Sequence, residues 1–596
     1  MLLCTNTYNL HTVTDKKKET LLDKVLRFRL GEHTVIIAMS VVVGLLSGFA
    51  NILFRATMHF IHRIIFEGGS ELLHINEGGF YRILVPLLPV CGVALLIPLA
   101  MIFREDVYGY GFSKFLELVN IKGGRMRRRT VFTKILGSAL TIGSGGSAGV
   151  EGPIAQIGGA VGSFVGQIFK VSGNRIKLLI AAGAAGGIAA TFNAPIAGVM
   201  FATEIVLLGN YELTSFAAIV ISSGIATVVS RGYYGANPVF TVPAYEVTAY
   251  EIPLYILFGV IVGVAAVLYI RTFHKIKDEF DKMKLHPYIK PVIGAFLVGS
   301  MGIFFPHVLG DGYEYIQQAL EGNLLFIIMV ALIFLKIIAT SLTLGSGGSG
   351  GVFAPALFIG AMVGGSFGWV VHTLLPAYTA SPGAYATVGV GAFLASATHA
   401  PLTAIFLLFE MTGNYKIIIP IMFASIVGTL TAKHMFHDSI DTVELTRKGI
   451  NIHDGREATV LSTIPVSAVM KSEFTAIHED TDIHDLLEKV VGGEDFYFPA
   501  VDDDGLLTGI ISLQDIRSVL FEEDLKKLVK VKFIASRNVI VVTPNDNLNN
   551  AIEKFALKDL GEIPVVDMYN KRRVVGMLKR GDVITAYNKE LLRRRI

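Results

Sequence analysis

The chain has 596 residues, 52% of them hydrophobic and 17% charged, with a mean hydropathy of +0.56 and a formal net charge of +3. A composition this apolar excludes an ordinary soluble enzyme, and so small a net charge gives no sign of a nucleic-acid partner. The two cysteines, Cys4 and Cys91, provide no disulfide framework.

Residues 1–33 read as a cytoplasmic segment. The first thirty are polar and carry basic residues at Lys16–Lys18, Arg27 and Arg29, a pattern that argues against a cleaved signal peptide. Apolar stretches long enough to span a bilayer follow at Thr34–His62 and Arg82–Phe103. Two further basic clusters, Lys122–Arg129 and Lys275–Lys290, join the N-terminal one on the cytoplasmic side by the positive-inside rule. In between, the pattern becomes irregular. The runs Ile154–Phe169, Leu178–Ala190 and Ala194–Leu208 fall short of the about 20 residues that cross about 30 Å of hydrocarbon. Gly, Ser, Pro or Asn divide them without real loops. Such backbone is tolerated at membrane depth only where protein surrounds it or it lines a cavity, so tilted and broken helices around a polar pathway are expected. A clearer span, Ile252–Ile270, precedes a charged linker, Arg271–Lys290, and a second apolar half, Pro291–Phe436.

The two halves repeat each other. Gly-Ser-Gly-Gly-Ser-Ala-Gly-Val-Glu-Gly-Pro at 143–153 returns as Gly-Ser-Gly-Gly-Ser-Gly-Gly-Val-Phe-Ala-Pro at 345–355. Asn193-Ala194-Pro195 leads to Glu204, and His399-Ala400-Pro401 leads to Glu410. The membrane domain, 34–445, therefore divides into halves at about 34–230 and 250–440, each with a glycine-rich break inside an apolar segment. Matched breaks in two halves point to an ion or solute site near the bilayer midplane. A helix start offers unpaired N–H groups and a positive dipole end to an anion. Glycine lets the backbone approach the ion, and Pro153 and Pro355 fix the first turn without wasting a donor. Few full cations line either break, which suits fast release. The alternative, that these small residues serve close helix packing alone, accounts poorly for two matched runs with a proline at the same offset.

Beyond His437 the composition becomes that of a soluble protein. After a linker at 446–463, Phe498-Pro-Ala-Val-Asp502 followed by Gly509-Ile-Ile-Ser-Leu-Gln-Asp515 is repeated as Ile563-Pro-Val-Val-Asp567 followed by Gly576-Met-Leu-Lys-Arg-Gly-Asp582. Each copy reads as strand, turn, strand and the start of a helix, giving two small α/β modules at 464–525 and 526–590.

The segments Gly149-Val-Glu-Gly-Pro153 and Gly350-Gly-Val-Phe-Ala-Pro355 closely resemble the signatures of CLC chloride channels and chloride/proton antiporters. Ala400-Pro-Leu-Thr-Ala404 and Phe409-Glu-Met-Thr-Gly-Asn-Tyr415 resemble the late membrane helices of that family, and the tail resembles its paired CBS domains. The resemblance covers about residues 35–445. It implies an α-helical polytopic membrane protein with inverted repeats of broken helices and a cytoplasmic α/β CBS pair. It further implies a homodimer in the bilayer of the plasma (inner) membrane, with one chloride pathway per subunit and both termini cytoplasmic. No cofactor is required and no metal is called for; protons are a possible second ion.

By that resemblance Glu151 is the gating glutamate, its carboxylate standing where an anion would stand; capping of a helix N-terminus is the plainer role for such an acid. The anion-facing backbone is Gly149, Val150 and Gly152 at the first break, with Gly351, Val352 and Phe353 at the second. Val150 occupies a position usually basic in the family. The family's first anion-binding segment corresponds to Gly109-Tyr110-Gly111-Phe112-Ser113, with Tyr110 in place of a serine. Asp441 falls where the family usually has a tyrosine. Three accounts of it stand open: protonation in place, a hydrogen bond to Tyr110, or exposure to cytoplasmic water beyond the last helix. Glu204 is a candidate internal acid, although the next position, where many antiporters carry a second glutamate, is Ile205. The pair Glu204 and Glu410 equally suggests a shared role at helix ends.

In the tail, Ser512 and Asp515 match the CBS residues that hold an adenine nucleotide such as ATP, ADP or AMP by its ribose. The second copy keeps Asp582 and places Lys579 where it would meet a phosphate. The sequence therefore reads as a gated chloride channel regulated by its CBS pair, with a proton-coupled antiporter as the alternative. A CBS-containing cation transporter, the rival of a different class, would need several intramembrane oxygens grouped as ligands, where the breaks offer Glu151 alone.

Overall fold

The computed structural model describes residues 32–103, 107, 109–171, 173–209, 213–242, 249–450, 461, 463–490, 495–517, 527–558 and 560–593. The basic cluster before residue 32 and most of the 446–463 linker lie outside the described residues. Two compact units result. One comprises the chain as far as Phe115 together with Gly123–Ser439; the other comprises Leu116–Lys122 and the chain from Ile440 onward.

The first unit is helical, and its longer helices, with one whose end from Leu116 belongs to the second unit, fall into two matching series. The first half contributes α1 (Glu32–Ile61), α2 (Leu87–Ile102), α3 (Phe112–Asn120), α4 (Thr130–Gly143), α5 (Glu151–Ile168), α6 (Asn174–Phe192), α7 (Pro195–Phe201) and α8 (Leu213–Tyr234). The second contributes α9 (Ile252–Lys282), α10 (Ile289–Phe304), α11 (Tyr313–Leu320), α12 (Phe326–Gly345), α13 (Phe353–Leu374), α14 (Pro382–Thr398), α15 (Pro401–Thr412) and α16 (Ile418–Met435). Among the described residues eight helices are long and apolar enough to cross a bilayer, and the stretches within α6 and α13 are 83% buried. These two are therefore interior helices, walled from lipid by their neighbours.

Glycine decides how closely they pack. A Cβ on Gly158 of α5 would collide with the carbonyl of Gly183 on α6, and the reverse holds as well. Gly360 on α13 and Gly389 on α14 stand in the same mutual relation. The crossing at the centre of each half thus depends on backbone meeting backbone, as small residues permit in membranes. The ends of α6 and α14 also match: Asn193 (φ 56°) and His399 (φ 58°) are both left-handed, and each is followed by a proline that opens the next helix. The expected short, broken helices are found at α7, only seven residues long, which runs into a widened π turn, Ala202–Val206.

One boundary differs from expectation. The charged linker anticipated at Arg271–Lys290 is helical as far as Lys282, as the end of α9. Phe273, His274 and Phe280 are buried there, so an apolar face persists after continuous hydrophobicity ends at Ile270.

In the second unit the two modules share one register. Strand β2 (Tyr497–Val501) pairs antiparallel with β3 (Leu507–Ser512) and parallel with β1 (Ile477–His478); β4 (Glu562–Val566) pairs antiparallel with β5 (Val574–Lys579). Tyr497 lies opposite Ser512 as Glu562 lies opposite Lys579, and both hairpins shift register at the same point, after Ala500 and after Val565. Each copy has its own core, around Phe498 and Ile511 in the first and Ile563 and Leu578 in the second. The lead-in segments are exchanged. Val531 packs into the first core, while Leu461 and Val466 pack into the second.

Candidate functional site

The two glycine-rich breaks meet each other. The Gly149 N–H donates to the Gly351 carbonyl at 2.8 Å, and the Gly351 N–H donates to the Gly149 carbonyl at 2.7 Å. Hydroxyl bonds are exchanged in the same symmetric way. The Ser147 N–H donates to Thr343 Oγ1 at 3.1 Å and the Ser349 N–H to Thr141 Oγ1 at 3.1 Å. Ser138 Oγ lies 3.0 Å from Ser349 Oγ, and Ser147 Oγ lies 3.2 Å from Thr340 Oγ1. Residues 202 positions apart thus play matching parts around a local two-fold axis. Backbone that neither helix can satisfy alone is satisfied by its counterpart, which is how irregular chain survives at membrane depth.

Helices α5 and α13 start beside this bridge. The first N–H groups of a helix have no partner within it, so the amides at Val352, Phe353 and Ala354 are available to an acceptor. Glu151 takes one of them. Its Oε2 accepts from the Ala354 N–H at 3.1 Å, its Oε1 accepts from the Tyr313 hydroxyl at 2.8 Å, and the residue is fully buried. A Cβ on Gly149 would collide with that carboxylate, so the glycine makes the seat. The expected grouping of Gly149, Val150, Glu151 and Gly152 with Gly351, Val352 and Phe353 is a real neighbourhood: a Cβ on Gly152 would lie 3.2 Å from Gly351 Cα. A carboxylate is thus held on the amide end of α13.

The weakly marked segment Gly109–Gly111 reaches the same place. Gly109 (φ 75°) donates its N–H to the Gly347 carbonyl at 3.0 Å, and Tyr110 Cε2 lies 3.6 Å from the Cβ position of Gly152. Buried rings close the space. Tyr110 meets Phe112 and Phe273, Phe112 meets Phe201 and Phe353, and the Tyr269 hydroxyl donates to the Val352 carbonyl at 3.3 Å.

Three features of the site escaped the sequence reading. The first is a further repeat pair: Gly109-Tyr110-Gly111 before α3 corresponds to Gly310-Asp311-Gly312 before α11, and all four glycines have positive φ. The second is a pair of buried lysines, Lys134 on α4 and Lys336 on α12, again 202 positions apart. Lys336 Nζ donates to the carbonyls of Val308 (3.1 Å) and Gly310 (3.0 Å), and Lys134 Nζ lies 2.8 Å from the Cβ position of Gly111. Each of these Gly-x-Gly loops thus has one lysine beneath it, outside the two breaks themselves. The third is Tyr313.

Glu204 and Glu410 are placed reciprocally. Glu410 accepts from the N–H groups of Ile196 (3.0 Å) and Ala197 (2.8 Å) at the start of α7. Glu204 accepts from the N–H groups of Leu402 (3.2 Å) and Thr403 (2.7 Å) and from Thr403 Oγ1 (2.7 Å) at the start of α15. Each acid thus caps the helix that the other half's Ala-Pro segment opens. Asp441 lies in the turn before a short helix, Val443–Arg447, and is buried, which sets aside the account that exposes it to water.

In the tail, Ser512 and Asp515 form a reciprocal capping box at the end of β3. Asp515 Oδ2 accepts from the Ser512 N–H (2.8 Å) and hydroxyl (2.7 Å). Lys579 is engaged by Asp495 at 2.8 Å and by Glu562, its cross-strand neighbour, at 3.3 Å. The hydrogen bond it donates to Asp495 raises its ammonium above the ordinary lysine range. Asp582 lies in the first turn of the helix Arg580–Arg593.

Residues 92–433 match the family model described as voltage gated chloride channel, and residues 466–522 and 531–589 each match the CBS domain model. A curated relative, the H(+)/Cl(-) exchange transporter ClcA of Vibrio parahaemolyticus, is 33% identical over 67% of this chain and 86% of its own. The chloride channel protein CLC-f of Arabidopsis thaliana is 28% identical over 98% of this chain and 85% of its own. Among solved structures, a slow cyanobacterial Cl-/H+ antiporter superposes with a TM-score of 0.63 at 28% identity, covering 70% of this chain and 98% of that one. A eukaryotic CLC transporter, 20% identical, shares the fold over 92% of this chain and 97% of its own, with a TM-score of 0.63.

Proposed function

The chain belongs to the voltage-gated chloride channel family, the CLC family, and from that membership we propose a gated chloride channel in which Glu151 is the gate. Anion transport of the CLC type is the activity; the channel mechanism is the finer reading. One observation carries it. The buried Glu151 carboxylate occupies the Ala354 amide at the head of α13, between two glycine breaks bonded to each other. Its departure exposes that amide, the neighbouring helix-start amides and the dipole of α13 to an anion. Neutral dipoles bind the ion without the long dwell of a lysine clamp.

The channel reading is supported by Ile205, apolar and buried, and by Glu204, whose oxygens are engaged at the start of α15. Proton-coupled exchange is the second reading, favoured by the relatives named H(+)/Cl(-) exchange transporters. In either case two copies form a dimer in the bilayer, each with its own pathway and with the CBS pair on the cytoplasmic side. Adenine nucleotide at Ser512, Asp515 and Lys579 would regulate it, displacing Asp495 and Glu562 from Lys579.

The test is chloride efflux from proteoliposomes with proton flux recorded alongside, for wild type and Glu151→Gln, at two pH values and with ATP present or absent. Efflux without proton movement, made independent of pH in Glu151→Gln, is the expected result. Uphill proton movement lost in Glu151→Gln would establish the exchanger instead. Absence of chloride flux in both proteins at both pH values would overturn chloride as the substrate.

A further inference from the structure

Tyr313 has a place in the repeat that explains what it does. It opens α11 as Phe112 opens α3, and Glu151 opens α5 as Phe353 opens α13. The contact between Tyr313 and Glu151 is therefore the symmetry mate of the contact between Phe112 and Phe353, whose rings lie 6.5 Å apart and edge-on. In one half the contact is two aromatic rings. In the other the same two positions carry a hydroxyl and a carboxylate, 2.8 Å apart.

The hydroxyl is held rigidly. Its ring stacks on buried Phe240 with centroids 5.7 Å apart, and the Phe240 N–H donates to the Met411 carbonyl at 3.0 Å. The preceding residue, Gly312 (φ 84°), lies so close to the Phe358 ring that a Cβ would fall 2.7 Å from it, and Lys336 ties the same loop through the Val308 and Gly310 carbonyls. On its other side Tyr313 lines a cavity of about 400 Å³, together with His59, His62, Asp311, Glu314 and Tyr315. The two oxygens of Glu151 thus face different ways, one toward the α13 amides and one toward the wall of this cavity.

We propose that Tyr313 is a positioning residue, a latch whose hydroxyl holds the Glu151 carboxylate in the blocking position and lets go of it when the pathway opens. The latch rests on the gate reading above, and acts on the gate alone. Phenylalanine at 313 keeps the ring and its stacking and removes only the donor. A hydrogen bond to a charged acceptor is strong enough that its loss raises the open fraction, and with it chloride flux at neutral pH, by about tenfold.

The experiment measures chloride flux in proteoliposomes for wild type, Tyr313→Phe, Glu151→Gln and the double variant, with Tyr313→Leu as a second donor-less side chain of different shape. Higher flux in Tyr313→Phe and Tyr313→Leu, with no further rise when either is combined with Glu151→Gln, is the expected pattern. Flux unchanged or lowered by both Tyr313 substitutions, or altered by the same factor with and without Glu151, overturns the latch while a pH-independent Glu151→Gln leaves the gate standing. Glu151→Gln indistinguishable from wild type removes the gate, and the latch with it.

Discussion

The reciprocal caps at Glu204 and Glu410 give a prediction with a magnitude. Replacing Glu204 by alanine strips acceptors from the second and third amides of α15 and from the Thr403 hydroxyl. The two bonds to Thr403, both 2.7 Å, are short and charge-assisted; the bond to Leu402, at 3.2 Å and near the surface, counts for less. At about 1.5 kcal/mol for each short bond, with a discount for partial exposure, the loss is about 2–3 kcal/mol. Glu410→Ala removes two bonds, of 3.0 and 2.8 Å, and should cost about 2 kcal/mol. Glutamine at 204 keeps one acceptor and loses the charge, at about half the cost of alanine. Thermal unfolding of the detergent-purified protein, followed by loss of the monodisperse peak, should rank wild type, Glu204→Gln, Glu410→Ala and Glu204→Ala in falling order. The surviving folded protein should transport chloride, and move any protons the wild type moves, as before. A Glu204→Gln protein of wild-type stability that has lost proton movement would refute this reasoning and make Glu204 a proton carrier.

Two further perturbations probe the glycine seat and the tail. Gly149→Ala places a methyl group against the Glu151 carboxylate; chloride flux should rise at neutral pH toward that of Glu151→Gln, and flux with a wild-type pH profile would show that the seat does not need the glycine. In the tail, hydrogen bonds from Lys532 and Lys530 hold exposed Asp480 down at a pKa of about 2. A depressed carboxylate pKa adds stability that is complete above the ordinary aspartate value of about 3.9 and is lost as pH falls through the folded value. Calorimetry should therefore find Asp480→Asn less stable than wild type at neutral pH, with a gap that narrows on acidification to about pH 3; an equal gap at both would remove the pairing as its cause.

The parts of this fold that show in the sequence are those where backbone geometry restricts residue choice. The glycine breaks at 143–153 and 345–355 had to be glycine-rich to bond to each other, and so they read as a duplication. Pro195 and Pro401, with the acids downstream, read as paired helix ends because proline opens a helix in one way only. Legibility fails where function rests on side chains that differ between halves. Tyr110 and Asp311 hide the Gly-x-Gly pair between them, and Lys134 and Lys336 look like single interruptions of apolar helices. Tyr313 is 162 residues from the carboxylate it touches, and no local pattern marks such a contact. The end of α9 was misplaced because hydropathy stops at Ile270 while the buried stripe through Phe280 does not.

The bridge between the two breaks also sets an order of events during synthesis. Ala354 emerges 203 residues after Glu151, and Gly351 just before it. At about 5–20 residues per second, the first half waits roughly 10–40 seconds for its counterpart. Throughout that interval the amide and carbonyl of Gly149 lack the partner that Gly351 gives them in the folded subunit, a state that apolar surroundings penalise. A ribosome that stalls between the halves leaves an inserted chain unable to complete itself, open to whatever surveys the membrane for unfinished proteins. The contact between the two breaks therefore cannot form before residue 354 has been made.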